Sequence, residues 1–264
     1  MTPAARWALG GTLAGAVLGM VAFAPARWAA WAVMQASEGR VVLGQAQGTV
    51  WSGRARVTLT GGPGSRDALT LPGPLDWRLG WAGTAARLVL HHPETMPAPV
   101  ALQFQPNLTG GALSLPQRPG ADAAPLVQWP AAWLAALGTP WNTLQPSGQL
   151  RLSSPGATLQ WGQGRWRLEG SVVLEAADMA SRLSTLNRLG SYRALIAGAG
   201  TDGATLQLGT LDGALQLSGT GQWSGGRLQL RGEARAAPGQ EAALQNLLNL
   251  IGRRDGARSV ISIG

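Results

Sequence analysis

Cysteine and lysine are both absent from this chain, and histidine occurs only twice. Without cysteine there is no disulfide framework, no thiolate zinc cluster and no thiol nucleophile. Charge is sparse as well: 13% of the 264 residues are charged, and the excess of 21 basic over 13 acidic groups comes from dispersed arginines alone. Nucleic-acid binding calls for a clustered basic stripe with interleaved aromatics, so this dispersion argues against it. His91 and His92 are adjacent on a strand and would point to opposite faces, which disfavours joint metal binding and reads as a polar strand end before Pro93. The carboxylates, among them Asp67, Asp76, Asp178, Asp202, Asp212 and Asp255, lack metal-loop spacing. Gly-x-Ser-x-Gly does not occur, and the glycine runs lack the Lys-Ser/Thr of a phosphate loop. The sequence therefore offers no catalytic residue, no cofactor site and no metal site.

What is abundant is punctuation. With 38 glycines and 17 prolines, long helices have little room, and short strands with many turns are expected. Leu-x-Leu with a polar residue between recurs at Leu113–Leu115, Leu150–Leu152, Leu206–Leu208, Leu215–Leu217 and Leu228–Leu230, the period of a strand with one buried and one wet face. Tryptophan joins the same register at Trp77, Trp81, Trp161 and Trp166, so Trp77 is expected in the core. Gly-rich breaks separate these runs at hairpin intervals. The expected fold is mainly β: an antiparallel meander of about a dozen strands, too many to stay flat, and so curled or folded over, with two or three short helices. Trp51 in "GTVWSG" and Trp223 in "GQWSGG" sit in glycine-flanked corners, where an indole would cap the apolar edge.

Three stretches break the alternation. Pro125 to Pro146 contains "PAAWLAALGTP", a short helix or tight corner. Ala177 to Leu189 reads as an amphipathic helix with Asp178 near its start and Met179, Leu183 and Leu186 at helical spacing. The clearest helix starts at Pro238, carries Glu241 in its first turn and Leu244, Leu247, Leu248 and Ile251 on one face, and stops at Gly252. Arg253 and Arg254 then suit the carbonyl pole of that helix, and Asp255-Gly256 turns the chain into a terminal strand, Ser259 to Ile263. Arg253, Arg254 and Asp255 are candidate partner-binding residues, with the helix-end role as the simpler account.

At the amino terminus, Trp7 to Ala26 carries no charge over the length a helix needs to cross a bilayer. Trp7 at one end and Trp28 and Trp31 at the other fit the two headgroup levels. A cleavable leader is the rival reading, but its apolar core would be shorter, and Pro25 spoils the Ala22-Phe23-Ala24 cleavage site. Residues 1–36 are thus expected to form a cytoplasmic stub, a transmembrane helix and a juxtamembrane segment, and residues 37–264 a β-rich domain outside the cytoplasm. Gly11, Gly15 and Gly19 recur on one helix face, where a second membrane helix could pack closely, although such spacing also arises by chance in so glycine-rich a chain.

Taken in order, "GQAQGTVWSGRARV" after the apolar segment, "GPLDWRL", "LGSYRALIAGAG", "LQLSGTGQWSGGRLQLRGEARA" and the closing "LQNLLNLIGRRDGARSVISIG" resemble the type II secretion system protein N family, also called general secretion pathway protein N. The likeness spans nearly the whole chain, with Gln117 to Trp141 unmatched. It implies a single-pass component of a Gram-negative inner membrane with a periplasmic β domain, no catalytic residues and no cofactor. Its role would be that of an accessory or scaffold subunit in the export of folded proteins. Its partners would be the bilayer, the other inner-membrane subunits and the outer-membrane secretin. Two alternatives stay open: an AsmA-like envelope protein binding or conducting lipid through an apolar β-groove, by fold-level analogy, and a periplasmic hydrolase, which would need paired carboxylates in a cleft.

Overall fold

The computed structural model describes residues 3–116, 124–200, 203–224 and 226–264; Asp202, and Ile263 in its side chain, lie outside that description. The chain opens with helices α1 (Pro3–Ala22) and α2 (Ala26–Ala36). Strands β1 (Val41–Gly48), β2 (Ser52–Thr60), β3 (Ala68–Thr70), β4 (Leu75–Ala82), β5 (Ala85–His91), β6 (Val100–Asn107), β7 (Gly110–Leu115) and β8 (Val127–Pro130) follow. A 3₁₀ segment (Ala131–Leu137) and α3 (Trp141–Leu144) lead into the two longest strands, β9 (Pro146–Gly162) and β10 (Arg165–Ser181). After β11 (Gly190–Gly198), β12 (Ala204–Gly213), β13 (Leu215–Ser224) and β14 (Arg227–Ala236) come α4 (Glu241–Ile251), β15 (Arg253–Asp255) and β16 (Arg258–Ile263).

All sixteen strands belong to one sheet, in the order β1-β2-β4-β5-β6-β7-β9-β10-β11-β12-β13-β14-β16-β15, with β3 added to β2 and β8 to β9. Every ladder is antiparallel, so the mainly β meander read from the alternation is what forms. The β9–β10 ribbon is its spine. It turns at Gln163 and Gly164, both with positive φ (51° and 76°), as a two-residue turn matched to right-handed strand twist requires.

The register places the Leu-x-Leu residues in one row across the sheet. Trp77 faces Leu90, Leu88 faces Leu102, Leu113 faces Leu159, Leu159 faces Leu168, and Ile196 faces Leu206. The alternate row is polar, pairing Arg54 with Asp76, Gln160 with Arg167 and Glu175 with Arg193. One face of the sheet is therefore apolar from end to end.

Helices α2 and α4 cover that face at its two ends, and the 3₁₀ segment lies against β2, β3 and β9. Near the start, Ala26 and Ala29 of α2 pack with Ala55, Trp77, Leu43, Leu88 and Leu90. Near the finish, Leu244, Leu247 and Leu248 of α4 are at most 2% exposed and pack with Leu189, Tyr192, Leu215 and Ala234. Ile251 is half-buried at the margin of this cluster. The molecule exposes 15891 Å², where a compact chain of 27.3 kDa would expose about 11,000 Å². The bare helix α1 contributes to that excess, and the apolar residues between the two clusters, such as Leu113, Leu159 and Leu206, are half-buried rather than buried.

Two expectations are corrected. Ala177 to Leu189 is not a helix: β10 runs through it to Ser181, because Ala176 and Ala180 pair with β9 and Met179 pairs with Gly190 of β11. Asp178 takes φ 51° as a bulge in the ladder, which lets Met179 join the core while Leu183 and Leu186 reach it from the following turn. A helix here would have left two strand edges without partners. The uncharged run Trp7–Ala26 is likewise divided, since α1 ends at Ala22 and α2 begins after Pro25. Among the described residues, no helix is long and apolar enough to cross a membrane.

Leu244 and Leu250 lie on opposite faces of α4, the first fully buried and the second 53% exposed. Leu244→Ala should cost about 2–5 kcal/mol by loss of transfer free energy and creation of a cavity, whereas Leu250→Ala should stay within about 0.5 kcal/mol. Urea denaturation of the two variants checks this; equal losses would place the stripe wrongly.

Candidate interaction surfaces

The Trp51 corner is a fastening. Between Gly48 and Gly53 the chain turns through four residues, closed by the Thr49 amide donating to the Ser52 carbonyl at 2.9 Å. Trp51 Nε1 donates to the Val21 carbonyl at the end of α1 (2.8 Å), and the Val50 amide donates to the Ala24 carbonyl (2.8 Å). The last carbonyls of a helix lack partners within the helix, and here the sheet supplies them. Trp77 holds the corner from below, its Nε1 donating to the Val50 carbonyl at 3.1 Å. Gly53 is required there: a Cβ would stand 2.5 Å from the Trp77 ring and 2.6 Å from the Gln47 carbonyl. Trp223 occupies the other glycine-flanked corner, at the β13–β14 hairpin, where it faces Ala204 and Leu228. It holds no helix. Both corners lie at hairpin ends, and the first also fastens the end of a helix.

Along α1, Gly11, Gly15 and Gly19 meet nothing within 4 Å, and their helix displays Trp7, Leu13 and Leu18 at 83%, 69% and 70% exposure. At the opposite end of the chain, Ser259 is fully buried and its hydroxyl donates to the Leu248 carbonyl at 2.6 Å, fastening α4 to β16. Arg253, Arg254 and Asp255 do not simply cap the helix. They form β15, an exposed three-residue edge strand paired with Val260, Ser259 and Arg258. Asp255 is held by Arg258 at 2.8 Å, which leaves the two arginines as the exposed basic pair of this edge.

Two polar features escaped sequence reasoning. Arg188 bridges Asp178 and Asp212, each at 2.8 Å, and reaches the Ser191 hydroxyl at 3.1 Å. Its hydrogen bond holds the Asp212 carboxyl below its usual range. These groups are solvated, so the contribution to stability is small, and no spacing in the sequence announces the bridge. His92 is not a wet strand end: it is 1% exposed, with Nδ1 3.1 Å from the Thr95 hydroxyl. Burial lowers its pKa from the ordinary 6.5, against the raising influence of Glu94. His91 lines an open cleft of about 700 Å³ with Arg54, Asp76 and Arg78, where the Arg54–Asp76 pair (3.2 Å) occupies the one carboxylate. Among the described residues, no group of three or more His, Cys, Asp or Glu is placed to hold a metal. What the geometry does offer is surfaces: a bare apolar helix, an apolar sheet face and a basic edge strand.

A family model described as "Type II secretion system (T2SS), protein N" matches residues 39–261. No curated protein matches the chain, and neither does any solved structure.

The buried His92 generates a pH dependence. Because its folded pKa lies below 6.5, the unfolded chain takes up the proton first as pH falls. The stability it confers is complete above about 6.5 and is lost progressively below, until the lowered folded value is passed. Thermal melting across this window should show a falling Tm in the native chain and a flatter profile in His92→Asn; identical profiles would remove His92 as the cause.

Proposed function

We propose, from the fact that this chain belongs to the type II secretion system protein N family, that it is a non-enzymatic, inner-membrane-anchored subunit of that secretion system. Its β domain would stand in the periplasm as a scaffold for export of folded proteins across the outer membrane. The observation that carries this reading is the family match over residues 39–261, which takes in nearly the whole sheet together with α4. The family is an accessory component of secretion, and membership supports association with the cell envelope and with other components of the system.

Anchoring is supported by α1. Although no described helix is long and apolar enough by itself to cross a membrane, α1 presents a bare apolar surface that would suit attachment to one. From Gly11 to Val21 it carries no charge and is almost wholly uncovered by the rest of the chain. Such a surface in water is unfavourable by roughly 25 cal/mol per Å² of apolar area, so a bilayer or a second membrane helix is its natural surrounding. Gly11, Gly15 and Gly19 leave room for the latter. The fastening at Trp51 would then set the height of the sheet above the membrane.

For the scaffold role, the edge formed by Arg253, Arg254 and Asp255 is the proposed contact with a partner subunit. Exposed edge strands pair readily with other chains, and arginine is over-represented among residues that dominate binding. Arg253→Ala with Arg254→Ala should leave the melting temperature nearly unchanged, since both side chains are exposed, while weakening association by about tenfold or more. Co-purification of the full chain from membranes checks this. Undiminished recovery of the secretion subunits would show that the edge is not the contact.

A further inference from the structure

In the middle of the apolar face lies a stretch on which neither α2 nor α4 packs. Phe104, Leu113, Leu159 and Leu168 lie in one cross-strand row, and Val172, Ile196 and Leu206 in a second, offset row on the same face; none belongs to either of the two packed clusters. Helix α2 rests on β1 and β2, α4 on β14, β15 and β16, and the 3₁₀ segment on β2, β3 and β9, so the stretch around Leu113, Leu159 and Leu168 lies between the two clusters as a trough. Its polar content is what limits the occupant. The inward residues of β6, β7, β9, β10, β11 and β12 in this stretch are Leu, Val, Ile, Ala, Gly, Phe and Trp, and the backbone of the interior strands is already paired within the sheet. A polar occupant would find no partner for its own donors and acceptors, at a cost of kilocalories for each buried group. An alkyl chain loses nothing on entering.

At the hairpin end of the trough, aromatic rings stand at its mouth. Phe104 and Trp161 stack at 5.8 Å with planes 14° apart, over Gly111, where a Cβ would stand 2.8 Å from the Phe104 ring. Trp81 is 66% exposed on a neighbouring hairpin. The same end of the sheet carries the Trp51 corner that holds the end of α1, because every second hairpin of an antiparallel meander returns to the same end of the strands. Phe23 (78%) and Trp28 (46%), on either side of the α1–α2 junction that this corner holds, are exposed as well. We propose that the trough holds an acyl chain of a membrane phospholipid, taken up from the bilayer in which α1 sits. The choice of phospholipid over another apolar occupant rests on the anchoring reading above.

The test uses the full chain in vesicles made with a phosphatidylglycerol whose acyl chain carries a photoreactive diazirine, with adduct positions mapped by peptide mass spectrometry. Adducts are expected on α1 and, separately, on trough residues such as Leu113, Leu159 and Leu206. A variant with Leu159→Gln and Leu206→Gln should lose most trough adducts and keep those on α1, with its circular dichroism unchanged. Adducts confined to α1 overturn the trough and leave the anchor standing, whether the trough is then empty or covered by protein. Trough adducts without any on α1 support the site and overturn the anchor as its source. Adducts spread equally over the outer polar row, at Gln160 and Arg167 for instance, reduce the signal to non-specific labelling and overturn the proposal.

Discussion

The structure depends on one constraint: a sheet this long, with an unbroken apolar face, must have that face shielded where strands would otherwise be left open. Sixteen strands in one sheet cannot stay flat against the right-handed twist of each pair. Curling brings the leucines closer to one another, but it does not supply a second layer. The chain answers locally. Helix α2 settles on the first strands through small residues, Ala26 and Ala29, which let it approach closely. Helix α4 uses Leu244, Leu247 and Leu248 to close the last ones. The two helices thus sit over two separate clusters of packed residues, and between those clusters lies an apolar stretch that belongs to neither.

The Trp51 corner links this architecture to the proposed membrane attachment. Its importance lies in direction rather than strength, because each hydrogen bond contributes only about 1 kcal/mol net. Three contacts, from Trp51, Val50 and the Pro25–Thr49 bridge, fix where α1 leaves the sheet. A flexible linker at this point would let the sheet tumble above the lipid. A bonded corner holds the hairpin ends at one height and one orientation, which matters for a scaffold and for a trough that draws on the bilayer.

Much of this was legible in the sequence because period-two alternation is a direct consequence of strand geometry. The Leu-x-Leu pairs mark one side of β7, β9, β12, β13 and β14, and the burial of Trp77 follows from the same register. Helix α4 was equally plain from Glu241, four apolar residues on one face and Gly252, although it begins at Glu241 rather than at Pro238, which lies in the turn before it. Met179, Leu183 and Leu186 misled because helical spacing within a short stretch cannot be told from a bulged strand end followed by a turn; the pairing with β9 and β11 decided it. Long-range contacts were the blind spot. The bond from Trp51 to Val21 joins residues 30 positions apart, and neither the burial of His92 nor the formation of β15 is written in local spacing. The candidate partner residues at 253–255 were found by position, but their edge-strand conformation was not.

Hydrogen exchange on the full chain, comparing the native protein with Leu248→Asp, tests most directly whether the apolar face is shielded by two separate clusters. A carboxylate at this buried position has no partner and should dislodge α4. The account predicts that amide protection collapses from β11 to β16 while β1, β2, β4 and β5, packed around α2 and Trp77, keep theirs. A uniform loss from β1 to β16 would mean a single cooperative core, and unchanged protection near α4 would mean that the helix shields nothing; either result contradicts the account.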